Sequence, residues 1–340
     1  MKTQKKIATI KDVAARAGVS CATVSRALDD RPEITAETKK RVRAACAELG
    51  YVPNAAARGL AGHATHTLGL VVPDISNPYF SDMAAAIEQA AAERGYRVLF
   101  SNSLRSDEKE LRAIENFLAR QVDGMLISAV SPQSQARHRA LLGGLPCVYL
   151  GVNHGEDCSY VMADNEGAAY AATRYLLRLG HRDIWFLGGR TSSRTRALRS
   201  QGFRRALAEE GLEGREFPAP ADEVQQRQWS YEKALELFKG PLPDAIFAFS
   251  DITALKVLEA AEECGVRIPE DVSLLGCDNI SFTELPRLHL TTVSQHKITQ
   301  GLIAVERLLE QIHNHTGKTV DLLEPELMIR STCLKNNKRR

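Results

Sequence analysis

From Thr67 to Asp278 the chain alternates short apolar runs with segments of helical period. The runs are TLGLVVPDI (67–75), RVLFSNS (97–103), DGMLISAV (123–130) and PCVYLGV (146–152), each separated from the next by a polar–apolar stretch of helix length. Near-continuous apolar runs of this kind predict parallel strands covered on both faces. The pattern then restarts with DIWFLGG (183–189), DAIFAFS (244–250) and VSLLGCD (272–278), with helices predicted around 197–210, 230–239 and 252–264. Two doubly wound α/β subdomains result, with a boundary near Ala163–Gly167.

The first fifty residues have a different pattern, helical throughout. Thr9 is placed to cap a helix with Asp12 three residues on, Val13 and Ala17 share one face, and Gly18 ends it. Ser20 caps a second helix in which Val24 and Leu28 continue the apolar face at i, i+4, while Val19 fills the turn. A third helix starts at Thr35, turns Val42, Ala45 and Leu49 inward and stops at Gly50; its polar side carries Lys39, Lys40, Arg41 and Arg43. This is a helix-turn-helix pattern, although any small three-helix unit shares its periodicity. The second helix puts Ala22 and Arg26 on one face, away from Val24 and Leu28, and gives Thr23 and Ser25 hydroxyls suited to phosphates.

Charge sharpens the division. Up to His63 there are twelve Lys/Arg against six Asp/Glu, and beyond it 32 against 36, so the basic excess sits in the N-terminal piece. That excess fits a polyanion partner, because neutralised phosphates release counterions; a solvated basic face is the alternative. Seven scattered cysteines, without a C-x-x-C pair or a His cluster at ligand spacing, point to a reduced cytoplasmic setting with no metal. The start, MKTQKKIATI, has positive charge but no apolar run of signal-peptide length after it, and no stretch approaches the ~20 apolar residues of a membrane span. The expectation is a cytoplasmic protein with no membrane partner.

After the third helix, Pro53 bars continuation and Asn54 can cap a short helix over 55–61 whose one large apolar side chain is Leu60. So short a helix is marginal alone. Leu60 can pack on its own domain or, if the segment folds on DNA, act as a wedge between base pairs. The order D-V-A-x-x-A-G-V-S-x-x-T-V-S-R, and after it P-N-x-x-A-R-x-L, resembles the DNA-binding head and hinge helix of the LacI family of bacterial transcription regulators. The resemblance implies that Cys21, Ala22 and Arg26 face bases in the major groove, that Thr23 and Ser25 lie at the phosphates, and that Asn54, Arg58 and Leu60 belong to a hinge that enters the minor groove.

Ligands of doubly wound sheets bind beyond the carboxyl ends of the strands. DISNPYF (74–80) offers an amide and two aromatics there, GGRTSSRTRALRSQGF carries Arg199, FSD gives Ser250 and Asp251, GCDN gives Asp278 and Asn279, and TTVSQ gives Gln295. Charged groups that grip hydroxyls, beside aromatic faces, suit a sugar or similar polyol. Asp251 can equally cap the helix DITALKVL, Tyr79 and Phe80 can be core, Trp229 reads as a packing residue, and Gly188-Gly189 lacks the rest of a phosphate-binding fingerprint. This part resembles the effector core shared by the same family and by periplasmic ribose-type binding proteins, which implies ligand contacts at Tyr79, Phe80, Arg199, Asp251, Asp278 and Gln295. Gly151 departs from the family: many sugar-responsive members carry an acidic residue there.

The fold class expected is therefore α/β: a small all-α helix-turn-helix head (1–52), a hinge helix and linker (53–65), and a core of two doubly wound parallel subdomains (66–333), with a basic tail (334–340) at the end. The N-subdomain covers about 66–165 and 296–322, and the C-subdomain about 166–295 and 323–333. The function expected is a transcription regulator, a repressor controlled by a sugar-like molecule in the cleft. It would bind palindromic operator DNA as a homodimer, since STCLKNNKRR carries no heptad for higher assembly. The alternative is a sugar- or nucleotide-acting enzyme with a basic appendage, but there is no nucleophile–base pair, metal set or cofactor fingerprint.

Overall fold

The structure, a computed structural model, describes residues 8–28, 30–51, 64–129, 131–151, 158–220, 225–314 and 316–336. It divides into two compact units, Met1–Thr65 and His66–Arg340.

In the first unit, α1 (Ile10–Ala17) is fixed at its start by a reciprocal capping box: the Asp12 amide donates to Thr9 Oγ1, and the Thr9 amide donates to Asp12 Oδ2 at 2.8 Å. It ends on Gly18 at φ 65°, a left-handed position that glycine adopts without a Cβ penalty. The Thr23 amide donates to Ser20 Oγ at 3.1 Å, opening α2 (Cys21–Leu28), and Thr35 caps α3 (Ala36–Leu49), which stops at Gly50. Val13, Val24 and Val42, one from each helix, are wholly buried and form the centre of this small core.

The second unit runs β1 (Thr67–Val72), α4 (Pro78–Glu93), β2 (Arg97–Asn102), α5 (Asp107–Ala119), β3 (Gly124–Ile127), α6 (Pro132–Leu142), β4 (Cys147–Leu150), β5 (Ser159–Ala163), α7 (Asn165–Arg178), β6 (Ile184–Arg190), α8 (Arg194–Ala208), β7 (Arg215–Ala219), α9 (Gln226–Phe238), β8 (Ala245–Ala248), α10 (Asp251–Cys264), β9 (Ser273–Asp278), β10 (Thr291–Ser294), α11 (Lys297–Asn314), β11 (Val320–Leu323) and β12 (Glu326–Met328). One sheet has the order β11-β5-β4-β3-β1-β2 and the other β12-β10-β9-β8-β6-β7; every pairing is parallel except β10 with β12. Within each sheet the first five strands share the order 2-1-3-4-5, with the switch point between β1 and β3 in one lobe and between β6 and β8 in the other.

Alternation along β1 shows why both faces need helices. Leu68, Leu70 and Val72 join Met83 and Ile87 of α4 and Ala304 and Leu308 of α11, whereas Val71 joins Ile114 and Phe117 of α5. In the second lobe α7 and α8 cover one face and α9 and α10 the other. Strands β5, β7, β11 and β12 and helices α7 and α11 were not among the predicted elements. The edge strand β7 is half exposed and contains Pro218, and β11 alternates exposed and half-buried positions, so neither shows an unbroken apolar run; β5 does have one, Tyr160–Ala163, which the sequence reading passed over. The predicted TLGLVVPDI run stops as a strand at Val72, before Pro73, which has no amide to donate to the ladder.

Helices α7 and α8 approach closely at Gly202. A Cβ there would lie 2.1 Å from the Glu166 carbonyl oxygen and 2.8 Å from the Tyr170 amide nitrogen, both backbone atoms. Gly202→Ala must therefore push the two helices apart, and a loss of about 1–3 kcal/mol in urea unfolding is expected. An unchanged midpoint would show that the pair is not tightly held.

Candidate nucleic-acid face and ligand cleft

In the head, Ala22 and Arg26 are exposed, and the Arg26 side chain makes no hydrogen bond or ion pair among the described residues. Their side of α2 is opposite the buried Val24 and Ala27, so a guanidinium can extend without disturbing the core. Thr23 and Ser25 are half-buried, and the Thr23 hydroxyl lies 2.9 Å from that of Ser20. Cys21, expected to face bases, is half-buried and packs against the head core. Much of the basic side of α3 is engaged internally. Lys39 Nζ donates to the Asp30 carbonyl at 2.9 Å and lies 3.1 Å from its carboxylate, Arg43 meets the same carboxylate at 3.2 Å, and Arg41 donates to the Ala17 carbonyl. Asn54, Arg58 and Leu60 lie outside the described residues.

In the core, the carboxyl ends of both sheets open on one cleft of about 950 Å³. Its walls include the segments after β1 and β3 in one lobe and after β6 and β8 in the other, the switch point of each sheet. Tyr79 and Phe80 lie in the first turn of α4, where Asn77 caps the helix by accepting from the Tyr79 amide at 3.1 Å. Their rings meet edge to face with centroids 5.1 Å apart; both line the cleft while packing on the lobe's core. The Tyr79 hydroxyl accepts from Gln300 Nε2 at 3.1 Å, and burial pushes the phenol well above its ordinary range.

Opposite them is a buried polar cluster. Arg199 is 3% exposed; it donates to Asn165 Oδ1 at 3.0 Å, to the Phe249 carbonyl, and to Asp278 Oδ1 at 3.3 Å, with its guanidinium carbon 4.8 Å from the Phe249 ring centroid. Gln295 Nε2 donates to the same Asp278 oxygen at 2.5 Å. Burial raises Asp278 above the usual carboxylate range, with Arg199 pulling it back. A fixed guanidinium, carboxylate and amide edge beside aromatic rings can pair with several hydroxyls in defined directions. The structure thus brings five of the six expected residues, Tyr79, Phe80, Arg199, Asp278 and Gln295, to the wall of one cleft.

Asp251 is the exception. It does not line the cleft: wholly buried, its carboxylate accepts from the Ile280 amide at 2.9 Å and the Thr292 hydroxyl at 2.5 Å, tying α10 to the ends of β9 and β10. The helix cap is Ser250, not Asp251. Trp229 packs in the second lobe's core. Gly188 and Gly189, both at positive φ, leave room for Thr253, Phe249 and Arg196, and Gly151 lines the cleft at φ 103°.

Sequence reading missed Asn165, Phe249, Arg105, Arg190 and Arg227. Phe249 and Arg190 stand inside stretches chosen for strand-end position, so the same rule applied residue by residue finds them. Asn165 comes after β5, itself unread, and Arg227 opens a helix placed too late in the chain. Among the described residues no group of three or more His, Cys, Asp or Glu is placed to hold a metal, and no helix is long and apolar enough to cross a membrane.

A helix-turn-helix head in one chain with a two-lobed, cleft-bearing α/β core defines a DNA-binding regulator built on a ligand-binding fold. Comparison with known proteins agrees. Residues 9–54 match the model for bacterial regulatory proteins of the lacI family, and residues 173–333 that for a periplasmic binding protein-like domain. The HTH-type transcriptional repressor PurR of Pasteurella multocida is 34% identical over 335 residues, covering 96% of this chain and 98% of that protein. The crystal structure of the lac repressor dimer bound to operator and the anti-inducer ONPF superposes with a TM-score of 0.85 at 28% identity, over 97% of this chain and 100% of that one. A LacI family regulator from Enterococcus faecium with bound ribose superposes with a TM-score of 0.71 at 26% identity, over 80% of this chain and 100% of that one. The chain belongs to the LacI family of bacterial regulatory proteins and is a DNA-binding transcription regulator.

Proposed function

We propose that the protein is a repressor that binds a palindromic operator as a homodimer and is controlled by a sugar-like molecule held between the core lobes. The observation that carries the reading is the Arg199–Asp278–Gln295 cluster facing Tyr79 and Phe80 across one cleft, in a chain whose head exposes Ala22 and Arg26. The ribose-bound relative and the operator-bound dimer are consistent with it.

Ligand contacts from both lobes favour the closure that matches the ligand, and this differential binding is the free energy available for control. A bridge already spans the cleft: Arg227 Nη2 donates to Ser76 Oγ at 2.9 Å and lies 3.7 Å from Asp74. On the DNA side, one head reads one half-site, Leu60 acts as the minor-groove wedge, and Asn54 and Arg58 belong to the same hinge. Ala22 can offer a base only a methyl contact, which leaves Arg26 as the long direct reader in the recognition helix.

Binding-site selection should return a two-fold consensus for the wild-type protein. In Arg26→Ala the preference at one base pair per half-site should relax, at a cost of about 1–3 kcal/mol. Operator titration with candidate sugars then tests control. An asymmetric consensus, or an unchanged one in Arg26→Ala, would overturn the DNA reading; operator affinity indifferent to every cleft ligand would overturn the control.

A further inference from the structure

A cleft built only for a neutral polyol has no need of surplus charge, yet this one carries it. Among the described residues its walls hold six cationic side chains and three carboxylates, Asp74, Asp107 and Asp278. Asp278 is matched by Arg199 and Lys256 is held by Glu259, so the unmatched charge lies with the arginines nearer solvent.

Three of these come from separate elements on both lobes: Arg105 lies just beyond β2, Arg190 ends β6, and Arg227 is in the first turn of α9. Asp74 is the carboxylate near them, 3.9 Å from Arg105 and 3.7 Å from Arg227. The Arg190 side chain makes no hydrogen bond or ion pair among the described residues, although the residue is partly buried. Arg105 feels the charge of both others. Burial lowers the Arg105 pKa, and the like charges of Arg190 and Arg227 lower it further against the pull of Asp74. Arg105 also stands over the Phe80 ring, 6.0 Å from its centroid, beside the aromatic wall that would hold a ring.

Like charges gathered in a partly desolvated cleft are unfavourable until an anion joins them, and planar guanidiniums are the donors that grip phosphate and carboxylate oxygens in pairs. We propose that the effector is a polyol bearing an oxyanion, a phosphate ester or a carboxylate, and that Arg105, Arg190 and Arg227 hold that group while Arg199, Asp278 and Gln295 hold the hydroxyls. The proposal rests on the cleft being the effector site and adds the chemical class of the ligand.

Inorganic phosphate tests the anion site without assuming a particular sugar. With ionic strength held constant by chloride, phosphate should raise the melting temperature of the full chain saturably. Its apparent Kd should rise at least tenfold in Arg190→Gln and in Arg105→Gln. It should be unchanged in Arg178→Gln, which removes the same charge from an exposed position at the end of α7. In chloride alone Arg190→Gln should melt no lower than wild type, since it loses a repelled charge and no partner. Ribose 5-phosphate, gluconate and ribose then separate ester from carboxylate, and either anion should bind at least tenfold more tightly than ribose. No saturable phosphate effect, or an equal Kd in Arg190→Gln, overturns the proposal. If ribose nevertheless stabilises the wild type and not Asp278→Asn, the polyol cleft stands without its anion. If phosphate binds as described but no cleft ligand alters operator affinity, the anion site stands and the regulatory reading falls.

Discussion

Asp278→Ala is expected to cost the core about 3 kcal/mol of stability and to abolish polyol-dependent stabilisation. The substitution leaves Arg199, 3% exposed, without its counter-charge, and an uncompensated buried charge is costly. Arg199 keeps two acceptors, Asn165 Oδ1 and the Phe249 carbonyl, which is why the lower end of the usual range is expected. Gln295 loses its 2.5 Å acceptor at the same time. The double variant Arg199→Met/Asp278→Ala removes both charges and should lose less than the sum of the single losses, with a coupling of about 0.5–3 kcal/mol. Urea unfolding of the four proteins measures it; strictly additive losses would show that the pair is not a unit.

Strand-end position was the feature that made this site legible. Arg199 stands nine residues beyond the end of β6 but only one helical turn into α8, and Asp278 ends β9, so the carboxyl ends of the apolar runs lead to both. The head was legible for another reason: its caps are local. Thr9 with Asp12, Ser20 with Thr23 and Thr35 with Thr38 are set by residues three apart. Long-range partnerships left no such trace. Nothing near Asp251 in sequence announces that Ile280 and Thr292 will take both its oxygens, and nothing near Arg41 announces the Ala17 carbonyl. The three-arginine cluster is of the same kind, since residues 105, 190 and 227 meet only because the two sheets present their carboxyl ends to one cleft.

Asp251→Asn should make the protein more stable at pH 8 and flatten the dependence of its stability on pH between about 5 and 7. Burial, and after it the charge of Asp278, raises Asp251 to about 7, against the pull of Thr292, the Ile280 amide and Lys297. Cys277 is the other titratable group within electrostatic reach, and burial keeps its thiol protonated. The unfolded carboxyl releases its proton near pH 4 and the folded one near 7, so between these values the folded state binds the extra proton. Stability must then fall as pH rises through that window, by at most about 1.4 kcal/mol per unit, and level off above it. Asparagine removes the titration and keeps the geometry: its carbonyl can accept from the Ile280 amide while its NH2 donates to the Thr292 hydroxyl, which can turn to accept. Urea midpoints from pH 5 to 8 read the slope directly. A slope that survives in Asp251→Asn would place the proton on Asp278 instead, and Asp278→Asn would then be the variant that removes it.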